Sequence, residues 1–388
     1  MNEMRVFARG TEVKGDLASS KVNKDIETLR AIAILFVLFH HFGFLVVGSR
    51  AYGAYWKHFG LWSGVDLFFC ISGYIIAKSY YEQFAGTDNL AVTTAKFWIK
   101  RIFRLWPSAW LWLVIMVIEF TALGLAHFWN NFSDAIAAVL EIANFHWWMC
   151  LGGQGACGMI GNYWSLSLEE QFYMLFPFLF LLPRKFHPFV LLTVVMIQFP
   201  IPRLPWTNDF LWFVRTDAIA LGVCIYLFSQ SHFYKLVRPI FLSNRNVALI
   251  VSCGTVGLLA AVTEPQEFPG HAIVPFATGM IAIMSALMVF LASYDGDWLF
   301  NIPRLRPTLV WIGARSYALY LLQAPAYQLV HKISSLQTVV DTVPEKFLAV
   351  ITSLATFSLM ALLAELNYKY LETPLRRRGA QIAAAFSK

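Results

Sequence analysis

A histidine stands deep in the first apolar segment of the chain, and histidine is the side chain best suited to move a proton near neutral pH. His41 follows Arg30 by eleven residues. Since eleven residues make about three helical turns, both side chains would lie on one helix face, about 16 Å apart along the axis. Ionisable groups inside a membrane are costly and are functional candidates by default. The spacing therefore predicts a proton acceptor and a cation on one helix.

A second group of cations follows the second apolar segment. Arg101 and Arg104 are three residues apart and would share a helix face, and Lys100 stands next to them. Such a cluster could bind the phosphates of a donor substrate. It could also serve only as a topology anchor, as basic segments beside membrane spans commonly do.

Several apolar segments carry polar residues at a similar depth below the predicted outer surface. A shared depth predicts one buried polar chamber that opens toward the outside. The residues expected at this depth are His41, Asp66, Glu119, Glu169, Glu170, Arg215, Asp217 and Gln323. Ser72, Trp164 and Tyr173 are further candidates for the chamber wall. Its aromatic residues could stack on sugar rings, or they could belong to the aromatic belt at the membrane surface.

One chamber carboxylate could hold His41 in a single tautomer, as the aspartate of a catalytic triad does. Glu169 is the first candidate for this role. Glu170 is its rival, because adjacent helical residues point about 100° apart and only one of the two is expected to face the chamber. Asp66 is a third candidate.

The composition indicates an integral membrane protein. Of the 388 residues, 58% are hydrophobic and only 14% are charged, and the mean hydropathy is +0.58. Soluble domains carry about 25% charged residues, so the chain lacks an ordinary water-facing surface. The net charge of +7 fits the basic bias of cytoplasmic segments better than it fits nucleic-acid binding.

The apolar runs predict an all-α, multi-pass protein of about ten transmembrane helices. They cover 28–48, 61–81, 106–126, 162–182, 188–206, 209–229, 246–263, 272–292, 308–331 and 347–370. Lys and Arg concentrate in alternate connecting segments, which predicts that the N-terminus and the C-terminus are both cytoplasmic. Residues 134–149 are apolar enough to enter the membrane, but a crossing there would reverse this balance. We therefore predict that 127–161 form an external loop with an interfacial or re-entrant piece.

The predicted domain organisation is simple. We expect one transmembrane domain over 26–375, with a polar cytoplasmic segment (1–25) before it and a basic tail (376–388) after it. Cys150 and Cys157 flank a Gly-rich turn, and a disulfide between them is possible if this loop faces an oxidising compartment. No spacing of Cys and His resembles a metal site.

Six motifs follow one another along the chain. They are Leu29-Arg30 with His41, Gly64–Gly73, Arg101–Pro107, Trp164–Tyr173, Ser316–Leu321 and Tyr370–Pro374. In this order they resemble the membrane O-acyltransferases of acyltransferase family 3, and the resemblance runs from about Ile26 to Arg378. It implies transfer of an acyl group, usually acetyl from acetyl-CoA, to a hydroxyl of a surface polysaccharide, a lipid-linked glycan or a secreted small molecule.

The resemblance also implies roles for particular residues. Arg30 and His41 would form the Arg/His pair of the family, Arg101 and Arg104 would serve the donor, and Trp164–Tyr173 would line the active site. No cofactor is expected to stay bound, since acyl-CoA is a substrate and a glycan or lipid-linked saccharide is the acceptor. Membrane lipid surrounds such proteins, a homo-oligomer is possible, and the expected location is the bacterial inner membrane.

Two departures from the family pattern bear on these expectations. Gln323 stands where many relatives have His in the ninth predicted span, so His41 is expected to carry the proton transfer alone. Some relatives also have a C-terminal soluble esterase-like domain, and no such domain is expected to act in cis here, where the sequence reaches Lys388.

The expected reaction is an acyl transfer from cytoplasmic acyl-CoA. Arg101, Arg104 and Arg30 would hold the nucleotide phosphates, and His41 would take the proton of a hydroxyl that enters from the outer side. An acyl-histidine intermediate is a variant of this scheme. Two alternatives are a transporter or flippase of a glycan-related substrate and a non-catalytic membrane partner in glycan assembly.

Overall fold

The computed structural model describes residues 22–45, 61–87, 89–203, 208–263, 276–336, 339 and 343–386. Within these ranges the chain is helical and contains no β-strand, which confirms the predicted all-α class. In chain order the α-helices are α1 (Lys24–Leu45), α2 (Ser63–Thr87), α3 (Leu90–Ala122), α4 (Phe128–Val139), α5 (Ala143–Leu151), α6 (Tyr163–Leu175), α7 (His187–Gln198), α8 (Phe210–Phe213), α9 (Asp217–Ser229), α10 (His232–Leu236), α11 (Arg245–Thr263), α12 (Ala277–Ser293), α13 (Arg306–Ala314), α14 (Ser316–Ser334), α15 (Glu345–Asn367) and α16 (Thr373–Ala385). Short 3-10 helices cover Phe176–Leu181, Arg184–Phe186 and Ile240–Ser243, and a π-helix covers Tyr368–Glu372.

In the described part of the chain, three helical segments are long and apolar enough to cross a membrane. They are Leu90–Ala122, Arg245–Thr263 and Phe347–Ala385. Two further helices, α9 and α12, are apolar but shorter. The number of about ten spans and the cytoplasmic position of both termini stay predictions.

The predicted spans 162–182 and 188–206 are not continuous α-helices in the structure. The run 162–182 divides into α6 and a 3-10 helix that has Pro177 in its first turn. Proline has no N–H to continue the bonding of an α-helix. The run 188–206 is helical only as far as Gln198, because Pro200 and Pro202 follow and proline has no N–H with which to continue the helical hydrogen bonds.

The predicted span 209–229 is interrupted between α8 and α9. Thr216 has φ −123 and ψ 3, which lies outside the helical region. Its N–H donates to Gln198 Oε1 at 3.0 Å, so a side chain of α7 satisfies the backbone where the helix breaks. Arg215 lies in the same interruption.

The apolar segment 134–149 forms two short helices, α4 and α5, joined by a tight turn at Leu140–Ile142, here called the α4–α5 turn. This turn lies against the middle of α6. Ala143 N–H donates to Ser167 Oγ at 3.2 Å, and Gln171 Nε2 donates to the Glu141 carbonyl at 2.6 Å. The loop 127–161 therefore places backbone and side chains beside the centre of α6.

Close glycine contacts fix the helices that carry the candidate site. A Cβ added at Gly73 of α2 would lie 2.1 Å from Ile219 O, and one at Gly222 of α9 would lie 2.0 Å from Cys70 O. Gly313 of α13 meets Glu27 O of α1 in the same way, at 1.9 Å. Small residues let helix backbones approach this closely in membrane proteins, and the last contact lies one turn before Arg30.

Candidate active site

A cavity lies between α2, α3, α6 and α14, with α1 and the α4–α5 turn at its edges. The polar residues in its walls are Arg30, Ser72, Arg101, Arg104, Glu141, Tyr163, Ser165, Glu169, Glu170, Tyr173, Ser316, Tyr317 and Tyr320. The space open to the centre of a water-sized sphere is about 110 Å³. Because one water needs about 10–15 Å³ measured in this way, the cavity has room for several waters or a small acyl group.

Three arginines share this cavity. Arg30 of α1 donates to Glu27 Oε1 at 3.2 Å and to Ser316 Oγ at 3.0 Å. The Arg101 guanidinium lies 5.2 Å from the centre of the Tyr173 ring, a distance at which cations are attracted to aromatic faces. Among the described residues, only Glu27 forms an ion pair with any of the three arginines. The concentration of positive charge makes this part of the cavity suited to an anion.

Lys100 lies outside this group of cations. Its Nζ donates to Gln83 Oε1 at 2.8 Å, at the protein surface, and it does not line the cavity. Adjacent helical residues point about 100° apart, so the face that turns Arg101 and Arg104 inward turns Lys100 away.

A chain of hydrogen bonds crosses the cavity from α6 to α2. The Tyr173 hydroxyl donates to Glu169 Oε1 one helical turn earlier. Because the Tyr173 proton is used in this bond, the Tyr173 oxygen can only accept from Ser72. The Ser72 hydroxyl therefore donates to it, at 2.5 Å. Glu169 is thereby bonded to a tyrosine, and no hydrogen bond in the described structure joins it to His41.

Both adjacent glutamates of α6 line the cavity, although only one was expected to face it. That expectation was wrong because the cavity extends around more than one side of α6. Ser165, Leu166, Glu169, Glu170 and Tyr173 all belong to its wall, and such a surface accepts two side chains that point about 100° apart.

His41 lies near the C-terminal end of α1 and is not in the cavity wall. Its Nδ1 is 2.8 Å from Val37 O. Because a carbonyl oxygen only accepts, Nδ1 carries the proton in the neutral ring and Nε2 presents a lone pair. The ring of His40 stands edge-on to that of His41, with centroids 5.1 Å apart. The structure thus gives His41 the tautomer that a base requires.

Asp66 and Arg215 bind each other instead of lining the cavity. Arg215 Nε and Nη2 donate to the two Asp66 oxygens at 2.9 and 3.1 Å. Trp212 and Trp164 cover the guanidinium, with ring centres at 3.6 and 4.9 Å. Both oxygens of Asp66 accept from Arg215 in this bidentate geometry, and no hydrogen bond among the described residues joins Asp66 to His41.

Asp217 and Gln323 also lie outside the cavity wall. Asp217 accepts from Arg203 Nη2 at 2.6 Å, and both side chains are buried. Gln323 of α14 is 1% exposed, and neither of its amide atoms has a hydrogen-bond partner among the described residues. The equal depth of these groups predicted one chamber, but the structure divides them between the cavity and a buried ion-pair cluster beside it.

Cys150 and Cys157 form a disulfide, with their Cα atoms 5.4 Å apart. It closes a short loop directly after α5. Across the described ranges, no group of three or more His, Cys, Asp or Glu side chains could hold a metal ion.

A sequence model of one protein family, described as an acyltransferase domain, matches residues 23–364. This is the family that the six motifs resemble. The chain is a member of acyltransferase family 3. Every residue of the cavity wall lies within the matched range.

Curated relatives of this chain are named as O-acetyltransferases. The peptidoglycan O-acetyltransferase OatA of Listeria monocytogenes is 29% identical over 93% of this chain and 57% of its own length. The O-acetyltransferase OatA of Staphylococcus aureus is 28% identical over 94% of this chain and 58% of its own. A putative O-acetyltransferase of Staphylococcus aureus is 25% identical over 91% of this chain. The chain thus spans little more than half the length of these relatives, and no solved structure matches it.

Sequence reasoning missed two carboxylates in or beside this cavity. Glu141 reaches the cavity from the α4–α5 turn, and no periodic pattern marks it. Glu372 ends the π-helix; Asn367 Nδ2 donates to it at 2.7 Å, and it lies close enough to Arg104 and Arg30 for an electrostatic interaction. Glu372 belongs to the motif Tyr370–Pro374, and this motif was the signal from which the sequence could have indicated it.

Proposed function

We propose that this acyltransferase moves an acetyl group from cytoplasmic acetyl-CoA to a hydroxyl of a cell-surface or lipid-linked glycan, in the inner membrane of a bacterium. The supporting observation is a cavity that holds three arginines together with carboxylates and hydroxyl groups, in a chain of an acyltransferase family. Since a relative is named for peptidoglycan, peptidoglycan is the first acceptor to test.

The arginines serve the donor in this proposal. Coenzyme A carries phosphates, and guanidinium groups bind phosphate oxygens through paired N–H donors. Arg101 and Arg104 present such donors from α3, while Arg30 faces them from α1. The acetyl-carrying arm would then extend along α1, over the distance of about 16 Å that separates Arg30 from His41.

The acetyl transfer needs a base for the acceptor hydroxyl. The hydroxyl oxygen attacks the thioester carbonyl carbon, the C–S bond breaks, and coenzyme A leaves with the proton that His41 Nε2 first accepts. The bond from His41 Nδ1 to Val37 O supports this role because it leaves Nε2 free to accept. Because His41 stands outside the cavity wall, the acceptor and the acetyl group must meet toward the outer end of α1.

The assignment of the arginines to the donor is tested by comparing cations of α3 that line the cavity with one that lies outside it. In the Arg101→Ala/Arg104→Ala variant we expect the KM for acetyl-CoA to rise at least about tenfold, since charged hydrogen bonds to phosphate are lost. Lys100→Ala serves as the matched variant, because Lys100 binds Gln83 outside the cavity, and its KM should change less than about twofold. Equal effects in both variants would show that these residues act only as topology anchors.

A further inference from the structure

The α4–α5 turn delivers one acidic side chain to the cavity. Its backbone is tied to α6 through the Glu141 carbonyl, which accepts from Gln171 Nε2 at 2.6 Å, and through Ala143 N–H, which donates to Ser167 Oγ at 3.2 Å. Between these two attachments Glu141 enters the cavity wall. The turn therefore does more than connect two helices, because both of its bonds to α6 fix the position of this carboxyl group.

The backbone of Glu141 has an unusual conformation. Its φ is +57, in the left-handed region that glycine and asparagine adopt easily and that other residues seldom occupy. Unfavourable backbone conformations persist where the surrounding structure enforces them, and they concentrate at functional sites. A glycine would suit this backbone better than glutamate does, so the sequence retains a strained residue at a position that faces the cavity.

Glu141 reaches the cavity beside the part of α3 that follows the arginines. It neighbours Tyr163, whose hydroxyl donates to Ala109 O at 2.9 Å. Ala109 is five residues beyond Arg104, or about 8 Å along the helix. Glu170 interacts electrostatically with both Glu141 and Arg101, but no ion pair among the described residues joins Glu141 to an arginine.

The protonation of Glu141 suits binding to a hydroxyl. Burial raises the pKa of the Glu141 carboxyl to about 8, although a hydrogen bond with Ser167 opposes the shift. The group therefore keeps its proton at neutral pH, and a neutral carboxyl has both a donor and acceptors. A sugar hydroxyl, which also donates and accepts, is complementary to it.

We propose that Glu141 binds a hydroxyl group of the acceptor saccharide in the part of the cavity wall that the α4–α5 turn supplies. The acceptor class is a hydroxyl-rich saccharide, and the α4–α5 turn is the part of the fold that selects it. This inference rests on the proposed function, since it assigns a residue to the acceptor of that reaction. It predicts that donor and acceptor binding can be separated by substitutions at different residues of one cavity wall.

The test uses Glu141→Gly, Glu141→Gln and a control at another strained position, Asp295→Gly. Asp295 has φ +49 and does not line the cavity. Initial rates are measured in proteoliposomes with acetyl-CoA and soluble peptidoglycan fragments, each varied in turn, and thermal unfolding is followed for every variant. Both glycine variants should unfold no earlier than the wild type, because glycine relieves the left-handed backbone.

We expect Glu141→Gly to raise the KM for the fragments about tenfold while the KM for acetyl-CoA stays within about twofold, because a buried hydrogen bond to the acceptor is lost. Glu141→Gln, whose amide also donates and accepts, should lie close to the wild type, and Asp295→Gly should leave both KM values unchanged. An unchanged acceptor KM in Glu141→Gly, or equal rises in both KM values, overturns the inference. An inactive wild type would instead overturn the proposed function, so the two failures are distinguishable.

Discussion

At the residue scale, buried charges that were predicted to share one depth have two different environments. In the cavity, three arginines have a single ion-pair partner among the described residues, Glu27. Beside it, Asp66 pairs with Arg215 and Asp217 pairs with Arg203. Helix spacing gives the depth of a side chain but not which helices are neighbours, so the sequence predicted one chamber where the structure has a cavity and an ion-pair cluster.

The Asp66–Arg215 pair should stabilise the fold instead of taking part in the reaction. Asp66→Ala leaves a buried guanidinium without its carboxylate, which costs about 3–5 kcal/mol. We expect a clearly lower melting temperature in detergent for Asp66→Ala. The double variant Asp66→Leu/Arg215→Met should recover much of the loss, because it leaves no unpaired charge. A wild-type melting temperature for Asp66→Ala would contradict this role.

At the element scale, the sequence predicted helix faces well and helix ends poorly. The face that joins Arg101 and Arg104 follows from a spacing of three residues, and both side chains do line one cavity. The breaks at Pro177 and Thr216 and the position of Glu141 depend on proline chemistry and on contacts between segments distant in sequence. Pro177 is visible in the sequence, but an apolar run carries no record of contacts between distant segments, so it could not predict the interruption at Thr216.

The close packing of α2 on α9 provides a test at the element scale. Gly73→Ala would place a Cβ 2.1 Å from Ile219 O and force the helices apart, so we expect a loss of about 1–3 kcal/mol, as in other overpacked cores. Gly254→Ala on α11 is the matched control, since nothing lies within 4 Å of its added Cβ. That variant should gain up to about 1 kcal/mol from helix propensity. The melting temperatures of both variants are measured by thermal unfolding. Equal melting temperatures would argue against close contact between α2 and α9.

At the scale of the whole molecule, a cytoplasmic donor and an external acceptor require the two ends of the reaction site to face opposite sides of a membrane. The basic bias of alternate segments predicts the arginine end to be cytoplasmic and the loop 127–161 to be external. The disulfide of this loop suits an oxidising compartment.

Cysteine labelling tests this topology. In a background with Cys253→Ser, a membrane-impermeant maleimide should label Cys150 and Cys157 in intact cells only after reduction of their disulfide. A cysteine introduced by Lys235→Cys, at an exposed position of α10, should react only once the membrane is opened. Labelling of both positions from the same side would contradict the predicted orientation.

The most direct measurement compares wild-type protein and His41→Ala in proteoliposomes supplied with radiolabelled acetyl-CoA and an envelope-glycan extract. We predict label on the glycan with the wild type and a decrease of about 10²-fold or more in the variant, the size expected for loss of a general base. Equal melting temperatures would show that both proteins are folded. Equal labelling of the glycan would contradict the assignment of His41 and would direct the search for the base to Glu169 and Glu170 in the cavity wall.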